Sequence, residues 1–190
     1  MALNQSKYRS IVLIGQAGTG KGTQAKKIAD ELGFEIFSMG DKAREYAAKD
    51  SALGQHIAAI HLTGWIPEWL ASYLMTKAIL EDYIDGGVVY ESVARKPEEA
   101  QKFHEIHTAI KRPYVVVYLQ APENVLVDRM LKRQREGYDN PENIQKRFDA
   151  FKNETMLSID YFNKQGVLSE INADQAVEQV FADIMKVLKG

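Results

Sequence analysis

One stretch of the sequence decides the fold: residues 10–23 read SIVLIGQAGTGKGT. Its first part, residues 10–14, is a short apolar run that predicts a buried strand. The rest fits G-x-x-x-x-G-K followed by Gly-Thr, and it leads into a helix predicted over residues 20–32. Glycines let successive backbone N–H groups curl around an anion, and the helix N-terminus adds a favourable dipole. The stretch therefore predicts a loop that binds the phosphates of a nucleoside triphosphate.

The residues of this loop have separate predicted roles. Lys21 supplies a positive charge for the β- and γ-phosphates, and Thr23 can hydrogen-bond the phosphates or the shell of a magnesium ion. Gly22 stands where Ser or Thr usually follows the lysine. An accidental glycine-rich turn is the alternative, and strand, helix and lysine together disfavour it. The predicted triphosphate contacts are Gly15, Gly18, Thr19, Gly20, Lys21, Gly22 and Thr23.

Apolar runs and helical patterns alternate along the rest of the chain. Further strands are predicted at residues 35–38, 88–91, 114–119 and 167–171. This alternation predicts an α/β P-loop fold, a five-stranded parallel sheet with helices on both faces. The connection over residues 39–86 is longer than a crossover needs, so we expect a helical insertion there within a single domain.

Composition excludes several other classes of protein. The formal net charge of -2 over 190 residues gives no global positive field for nucleic acid or for an anionic membrane. The chain has no cysteines, which rules out disulfides and thiolate zinc sites. We expect no secretory signal and no membrane span, and therefore a cytoplasmic protein. His104 and His107 lie three apart on a predicted helix without a third ligand, so we expect them to face solvent rather than hold a metal.

Further motifs make the chain resemble the adenylate kinases and their nucleoside monophosphate kinase relatives. GKGTQ at residues 20–24 has the form of the phosphate loop in this family. SMGDKAR at residues 38–44 resembles S-T-G-D-x-x-R, and GWIPE at residues 64–68 resembles a glycine-to-V-P-D stretch. GVVYESVAR at residues 87–95 resembles a worn G-F-L-L-D-G-F-P-R. The family's fourth strand and its last helices resemble residues 114–133, 144–148 and 167–181, so the resemblance covers nearly the whole chain.

The resemblance implies a phosphotransferase. The enzyme would move the γ-phosphoryl group of ATP, bound with Mg²⁺, onto a nucleoside monophosphate, with AMP as the default acceptor. The insertion over residues 39–86 would bind the monophosphate, and residues 134–141 would form a short lid. ATP and the monophosphate would be its partners, without nucleic acid or membrane, and we expect a monomer.

The same resemblance assigns roles to individual side chains. Arginine suits phosphate because its planar guanidinium donates two parallel hydrogen bonds, and a carboxylate ending a parallel strand faces the ligand crevice. For each arginine the alternative is a solvated position on the protein surface. For Arg129 the functional role and the surface position are equally favoured, because its helix is basic. Asp41 either matches a family residue or is a helix N-terminal carboxylate. The implied catalytic residues are Lys21, Arg95, Arg133 and Arg147, and ATP would also contact Arg129 and Arg133. The monophosphate would be bound by Ser38, Arg44, Ile66, Arg95 and Glu99. The magnesium ion would be held by Thr23 and, through water, by Glu91.

Three departures from the family pattern leave alternatives open. The F-P-R turn is Val93-Ala94-Arg95, Glu136 stands at the position of a lid arginine, and Glu99 replaces a base-reading glutamine. Because an ionised glutamate only accepts hydrogen bonds, we expect a weaker preference for AMP, with GMP or CMP as further acceptors. The alternatives are a nucleotide-binding module that has lost turnover and a P-loop kinase for another small molecule.

Overall fold

The computed structural model describes residues 6–61, 66–82, 86–134 and 139–190. Within these ranges one sheet of parallel strands has the order β2-β3-β1-β4-β5. This sheet confirms the predicted α/β fold. Its strands are β1 (Ser10–Gly15), β2 (Glu35–Ser38), β3 (Val88–Glu91), β4 (Tyr114–Gln120) and β5 (Leu168–Asn172).

Helices cover both faces of the sheet. Ile11 and Leu13 of β1 pack in a cluster with α1 and α9, whereas Val12 and Ile14 pack in a cluster with α4, α5 and α8. Burial on both faces explains why β1 is apolar at each of the successive positions 11–14 rather than at alternate ones. None of the described helices is long and apolar enough to span a bilayer. The helices are α1 (Lys21–Leu32), α2 (Met39–Ala47), α3 (Ala52–His61), α4 (Glu68–Lys77), α5 (Pro97–Ala109), α6 (Glu123–Arg133), α7 (Pro141–Ala150), α8 (Met156–Lys164) and α9 (Val177–Lys189).

Two π-helical turns interrupt the helical layer. Ala78–Asp82 extends α4, and Phe151–Thr155 joins α7 to α8. Such turns occur frequently at functional sites. The second one matters here, because Phe151 lines the cavity described below.

Glycines fix the course of the chain around β1 and α1. A Cβ atom on Gly15 would lie 2.6 Å from the carbonyl oxygen of Leu119, so only glycine lets β1 end beside β4. Helix α1 ends at Gly33, whose φ of 67° is in the left-handed region and whose N–H donates to the carbonyl oxygen of Ala29. The phosphate loop is thereby held between a central strand and a well-terminated helix.

The connection between β2 and β3 contains helices α2, α3 and α4, which fits the expected helical insertion. The hydroxyl of Ser38 caps α2 by accepting the backbone N–H of Asp41 at 3.3 Å. Gly64 of the family-like stretch lies outside the described residues. So do residues 135–138 of the expected lid, including Glu136. The bounds of the insertion and of the lid stay predictions.

The histidine pair is not solvent-facing as expected, because His107 is only 1% exposed. Its Nδ1 lies 2.8 Å from the carbonyl oxygen of Phe103, which only accepts, so Nδ1 carries the proton. Its Nε2 then accepts the hydroxyl of Ser10 at 2.9 Å, and that hydroxyl oxygen accepts the Nε–H of Arg112 at 3.0 Å. The helical spacing identified a shared face but not the aromatic cluster that covers it.

Burial of His107 should make the protein sensitive to acid. Burial is the main cause that lowers the pKa of His107 to about 4, from an ordinary 6.5. The unfolded chain therefore binds more protons between these values. Neutral, buried His107 therefore contributes about 3 kcal/mol to the free energy of unfolding. This contribution is complete above pH 6.5 and is lost as the pH falls to 4. Denaturant titrations of the parent and of His107→Gln should show this difference in pH dependence. His104→Gln is the matched control and should follow the parent; a His107→Gln curve parallel to the parent would contradict the assignment.

Candidate functional site

A cavity of about 560 Å³ lies at the carboxyl edge of the sheet, where β1, β2 and β3 end. Ligands of open α/β sheets bind in such a crevice. Helices α2, α6 and α7 and the turn after β3 supply its other walls. The predicted site residues that line it are Gly15, Gly18, Gly20, Lys21, Gly22, Thr23, Ser38, Arg44, Ile66, Glu91, Arg95, Glu99, Arg133 and Arg147.

The phosphate loop has the open backbone that an anion needs. Gly18 and Gly20 have φ angles of 90° and 88°. A Cβ atom on Gly18 would lie 2.9 Å from the carbonyl oxygen of Leu126, whereas no described atom lies within 4 Å of one on Gly20. The Nζ of Lys21 donates to the carbonyl oxygens of Gly15 and Gln16, both at 2.9 Å. The loop therefore folds back on its own lysine and leaves space in front of the N-terminus of α1.

Positive charge is concentrated around Lys21. Burial lowers the pKa of Lys21 to about 7; Glu91 opposes this lowering, and three arginines add to it. Those arginines are Arg95, Arg147 and Arg133, from three separate elements. With Lys21 and with Arg44, which also lines the cavity, they make five basic side chains, and this set favours a polyanion such as a polyphosphate.

The pKa of Lys21 should link nucleotide binding to proton uptake. The phosphates of ATP are anionic, so they favour the charged lysine and raise its pKa again. At pH 8 binding should take up close to one proton, and uptake should disappear near pH 6. The affinity for ATP should accordingly weaken as the pH rises above 7. Calorimetric titration in buffers of different ionisation enthalpy measures the proton number.

Two variants make this measurement specific. Lys21→Arg keeps the charge at every pH, so its proton uptake should vanish. Lys27→Met removes a lysine on the same helix that pairs with Glu178 at 2.9 Å, and it should behave as the parent. Equal uptake by the parent and Lys21→Arg would show that another group binds the proton.

A buried carboxylate joins two of the arginines. Arg133 donates to Asp139 through Nε at 2.8 Å and through Nη2 at 2.7 Å. Arg147 approaches the same carboxylate, with Nη1 3.6 Å from Oδ1. The side chain of Asp139 is only 1% exposed, so the end of α6 and the middle of α7 are held at one point. No role was predicted for Asp139, although its place in the sequence between Arg133 and Arg147 could have indicated one.

The turn after β3 presents Arg95 to the cavity without the proline and glycine of the family pattern. Ser92 and Ala94 have φ angles of 61° and 52°, in the left-handed region. The backbone N–H of Arg95 donates to Oε2 of Glu99 at 3.0 Å. Burial lowers the pKa of Arg95 to about 10 and raises that of Glu99. The turn thus places Arg95 at the cavity although neither glycine nor proline occupies residues 92–94.

Arg44 and Glu91 both line the cavity. Arg44 forms an ion pair with Asp41. Asp41 lies in the first turn of α2 and also lines the cavity. A Cβ atom on Gly22 would lie 3.6 Å from Oε1 of Glu91, an ordinary contact distance, so this carboxylate lies directly beside the loop. Carboxylate and hydroxyl oxygens suit Mg²⁺, which fits Glu91 and Thr23. In the described ranges no three acidic, histidine or cysteine side chains cluster to hold a metal.

Two predicted ATP contacts do not line the cavity. The buried hydroxyl of Thr19 donates to the carbonyl oxygen of Gln16 at 2.8 Å. Arg129 donates through Nη1 to the carbonyl oxygen of Ala173 at 3.0 Å and lies 3.8 Å from Asp174. Arg129 therefore lies against the loop that follows β5. Its contact with the ATP base stays a prediction, as does the role of Thr19.

The sequence is similar over most of its length to known nucleotide enzymes. The profile of the family described as adenylate kinase matches residues 13–167. Adenylate kinase isoenzyme 1 of Cyprinus carpio is 29% identical over 183 residues, 94% of this chain and 93% of that protein. Adenylate kinase of Synechococcus sp. (strain CC9902) is 31% identical over 183 residues, 94% of this chain and 97% of that protein. UMP-CMP kinase 1 of Oryza sativa subsp. japonica is 29% identical over 183 residues, 95% of this chain and 74% of that protein.

Proposed function

We propose, from the premise that this chain belongs to the adenylate kinase family, that it transfers the γ-phosphoryl group of ATP to AMP and yields two ADP. The chain is a nucleoside monophosphate kinase, and the choice of AMP is the specific part of the proposal. One observation carries it: the phosphate loop and the arginines Arg44 and Arg95 line the same cavity. A single cavity with two groups of phosphate-binding side chains suits two nucleotides at once.

The geometry supports a separate role for each group of charged side chains in the transfer of the phosphoryl group. A phosphate oxygen of AMP attacks the γ-phosphorus while the bond from that phosphorus to the β–γ bridging oxygen breaks, and ADP leaves. The chemistry requires alignment and positive charge more than proton transfer. In the proposal Lys21 neutralises the β- and γ-oxygens, Arg44 and Arg95 hold the acceptor phosphate, and Arg133 and Arg147 surround the transferring group. Mg²⁺ bound with ATP would neutralise further charge there, held by Thr23 and through water by Glu91.

The choice of acceptor base is proposed from the hydrogen bonds that the carboxylate of Glu99 can accept. One of its carboxylate oxygens accepts the backbone N–H of Arg95, which leaves the other for a base. A single acceptor suits the one amino group on the edge of adenine or cytosine better than the two adjacent donors of guanine. AMP is therefore proposed as the preferred acceptor and CMP as the next. GMP is a less favoured acceptor than the sequence alone predicted.

A coupled assay for ADP tests the activity. ATP is combined with AMP, CMP, UMP or GMP in turn, and kcat/KM is compared among them. We expect AMP to give the highest value and CMP the next. ATP binding without ADP formation from any monophosphate would instead identify a nucleotide-binding module that has lost turnover.

The binding of a bisubstrate analogue distinguishes a kinase with two nucleotide sites from a nucleotide-binding module without an acceptor site. Two adenosines joined by five phosphates should bind about a hundredfold more tightly than ATP, because one tethered molecule fills both sites. Calorimetry measures both affinities under one set of conditions. The control is Arg44→Ala, which should weaken the analogue but not ATP. Equal affinity of the parent for both ligands would argue against an acceptor site.

A further inference from the structure

We infer that Glu99 is a positioning residue, whose buried carboxylate holds the backbone of Arg95 so that the guanidinium faces the acceptor side of the cavity. This inference rests on the proposed function for the role of Arg95. It assigns to Glu99 an effect on the arginine that is separate from any contact with a base.

The turn that carries Arg95 needs support from outside itself. Ser92 and Ala94 both adopt left-handed backbone conformations, which are unfavourable for residues with side chains. Val93 between them and Ala94 are fully buried. A turn with two such residues persists only where its surroundings hold it.

Glu99 supplies that support from the first turn of α5. Helix α5 begins at Pro97, and Oε2 of Glu99 reaches back to the backbone N–H of Arg95 at 3.0 Å. The side chain is 4% exposed, so this hydrogen bond is shielded from water. A buried carboxylate is costly unless it is hydrogen-bonded, and the dipole of α5 favours it at this position. The contact therefore joins the strained turn to a rigid helix.

A second carboxylate contacts the residue that follows Arg95. Glu154, in the π-helical turn before α8, lies 3.2 Å from the Nζ of Lys96, the neighbour of Arg95. Burial lowers the pKa of Arg95, and the charges of Glu99 and Glu154 both oppose that lowering. Glu99 is the more direct of the two, because it bonds the backbone of Arg95 itself.

Kinetics with several acceptors distinguishes positioning from base recognition. Glu99→Ala should lower kcat/KM about tenfold to a hundredfold, by the same factor for AMP and for UMP, whose base has no amino group for Glu99 to bind. Glu99→Gln keeps an oxygen that can accept the N–H and should stay within about threefold of the parent. Glu98→Ala removes an exposed carboxylate of the same helical turn and should have no effect. A loss confined to one base, or equal losses for Glu99→Ala and Glu99→Gln, would overturn the inference.

A double-mutant cycle tests whether Glu99 acts through Arg95. In an Arg95→Ala background, Glu99→Ala should cause less than about a twofold further loss, since no guanidinium remains to be positioned. Full additivity of the two losses would overturn the inference. Should Glu99→Ala fail to fold, Glu99→Met preserves the volume of the buried side chain and removes the acceptor.

Hydrogen exchange of the Arg95 amide gives a readout that does not depend on turnover. The amide should be protected in the parent and in Glu99→Gln, and it should exchange at least about tenfold faster in Glu99→Ala or Glu99→Met. If no monophosphate is phosphorylated, the proposed function fails, and AMP affinities of the same variants replace the rates. Unchanged exchange in the variants would overturn the inference whatever the activity.

Discussion

Replacing Lys21 with alanine should lower kcat by roughly a thousandfold to ten-thousandfold and leave the fold intact. Lys21 is buried at the centre of the cationic cavity, and its ammonium group is already placed by two carbonyl oxygens of the loop. A preorganised charge of this kind stabilises the transferring phosphoryl group without reorganisation during the reaction. In the nucleotide-free protein its removal relieves repulsion with three arginines, so stability should not fall.

The measurement is kcat from the ADP assay, together with thermal unfolding of the free protein. Lys27→Ala provides the control, since that lysine lies on α1 but forms a surface pair with Glu178. It should keep full activity. Turnover of Lys21→Ala within a few-fold of the parent would refute the role assigned to the phosphate loop.

Arg147→Ala should lower kcat about a thousandfold and change the KM of either nucleotide little. Arg147 lines the cavity from α7 and approaches Asp139, which also binds Arg133. An arginine that acts on the charge of the transferring group is worth about 10³ or more in kcat, because its interaction is strongest in the transition state. Arg147→Lys keeps the charge but loses the planar fork, so it should recover only part of the activity.

Steady-state kinetics with both substrates varied separates kcat from KM. Lys146→Ala is the matched control, because that neighbouring lysine forms an exposed pair with Glu142 at 2.6 Å. A variant that binds either nucleotide less tightly but retains kcat would place Arg147 in substrate binding instead.

Much of the fold could be predicted from sequence because its signals are local. Strands β1, β3 and β4 are mainly apolar runs, Gly15 and Gly87 mark strand boundaries, and Gly33 marks the end of α1. The phosphate loop is likewise a contiguous motif, with Lys21 at a fixed distance from β1. Local pattern and global fold agree at these points, which is why a single sequence suffices.

The remainder depends on contacts between distant parts of the chain. No periodicity shows that Asp139 joins Arg133 to Arg147, or that a carboxylate of α5 holds the backbone of Arg95. His107 was misplaced because a helical spacing defines a face without defining what packs on it. Tertiary packing decides these details, and it overrides local preference.

The parallel pairing of β1 also has a consequence for how the chain reaches its native state. β1 precedes the other described strands in the chain, yet its two neighbours begin only at Val88 and Tyr114. Closing such long loops costs entropy before any pairing is gained, so a sheet of this topology folds slowly. The phosphate loop follows β1 and the arginines follow later strands, so a nascent chain has no complete cavity until β4 and α7 have docked. Nucleotide should therefore slow unfolding of the finished protein without accelerating the early steps of its folding.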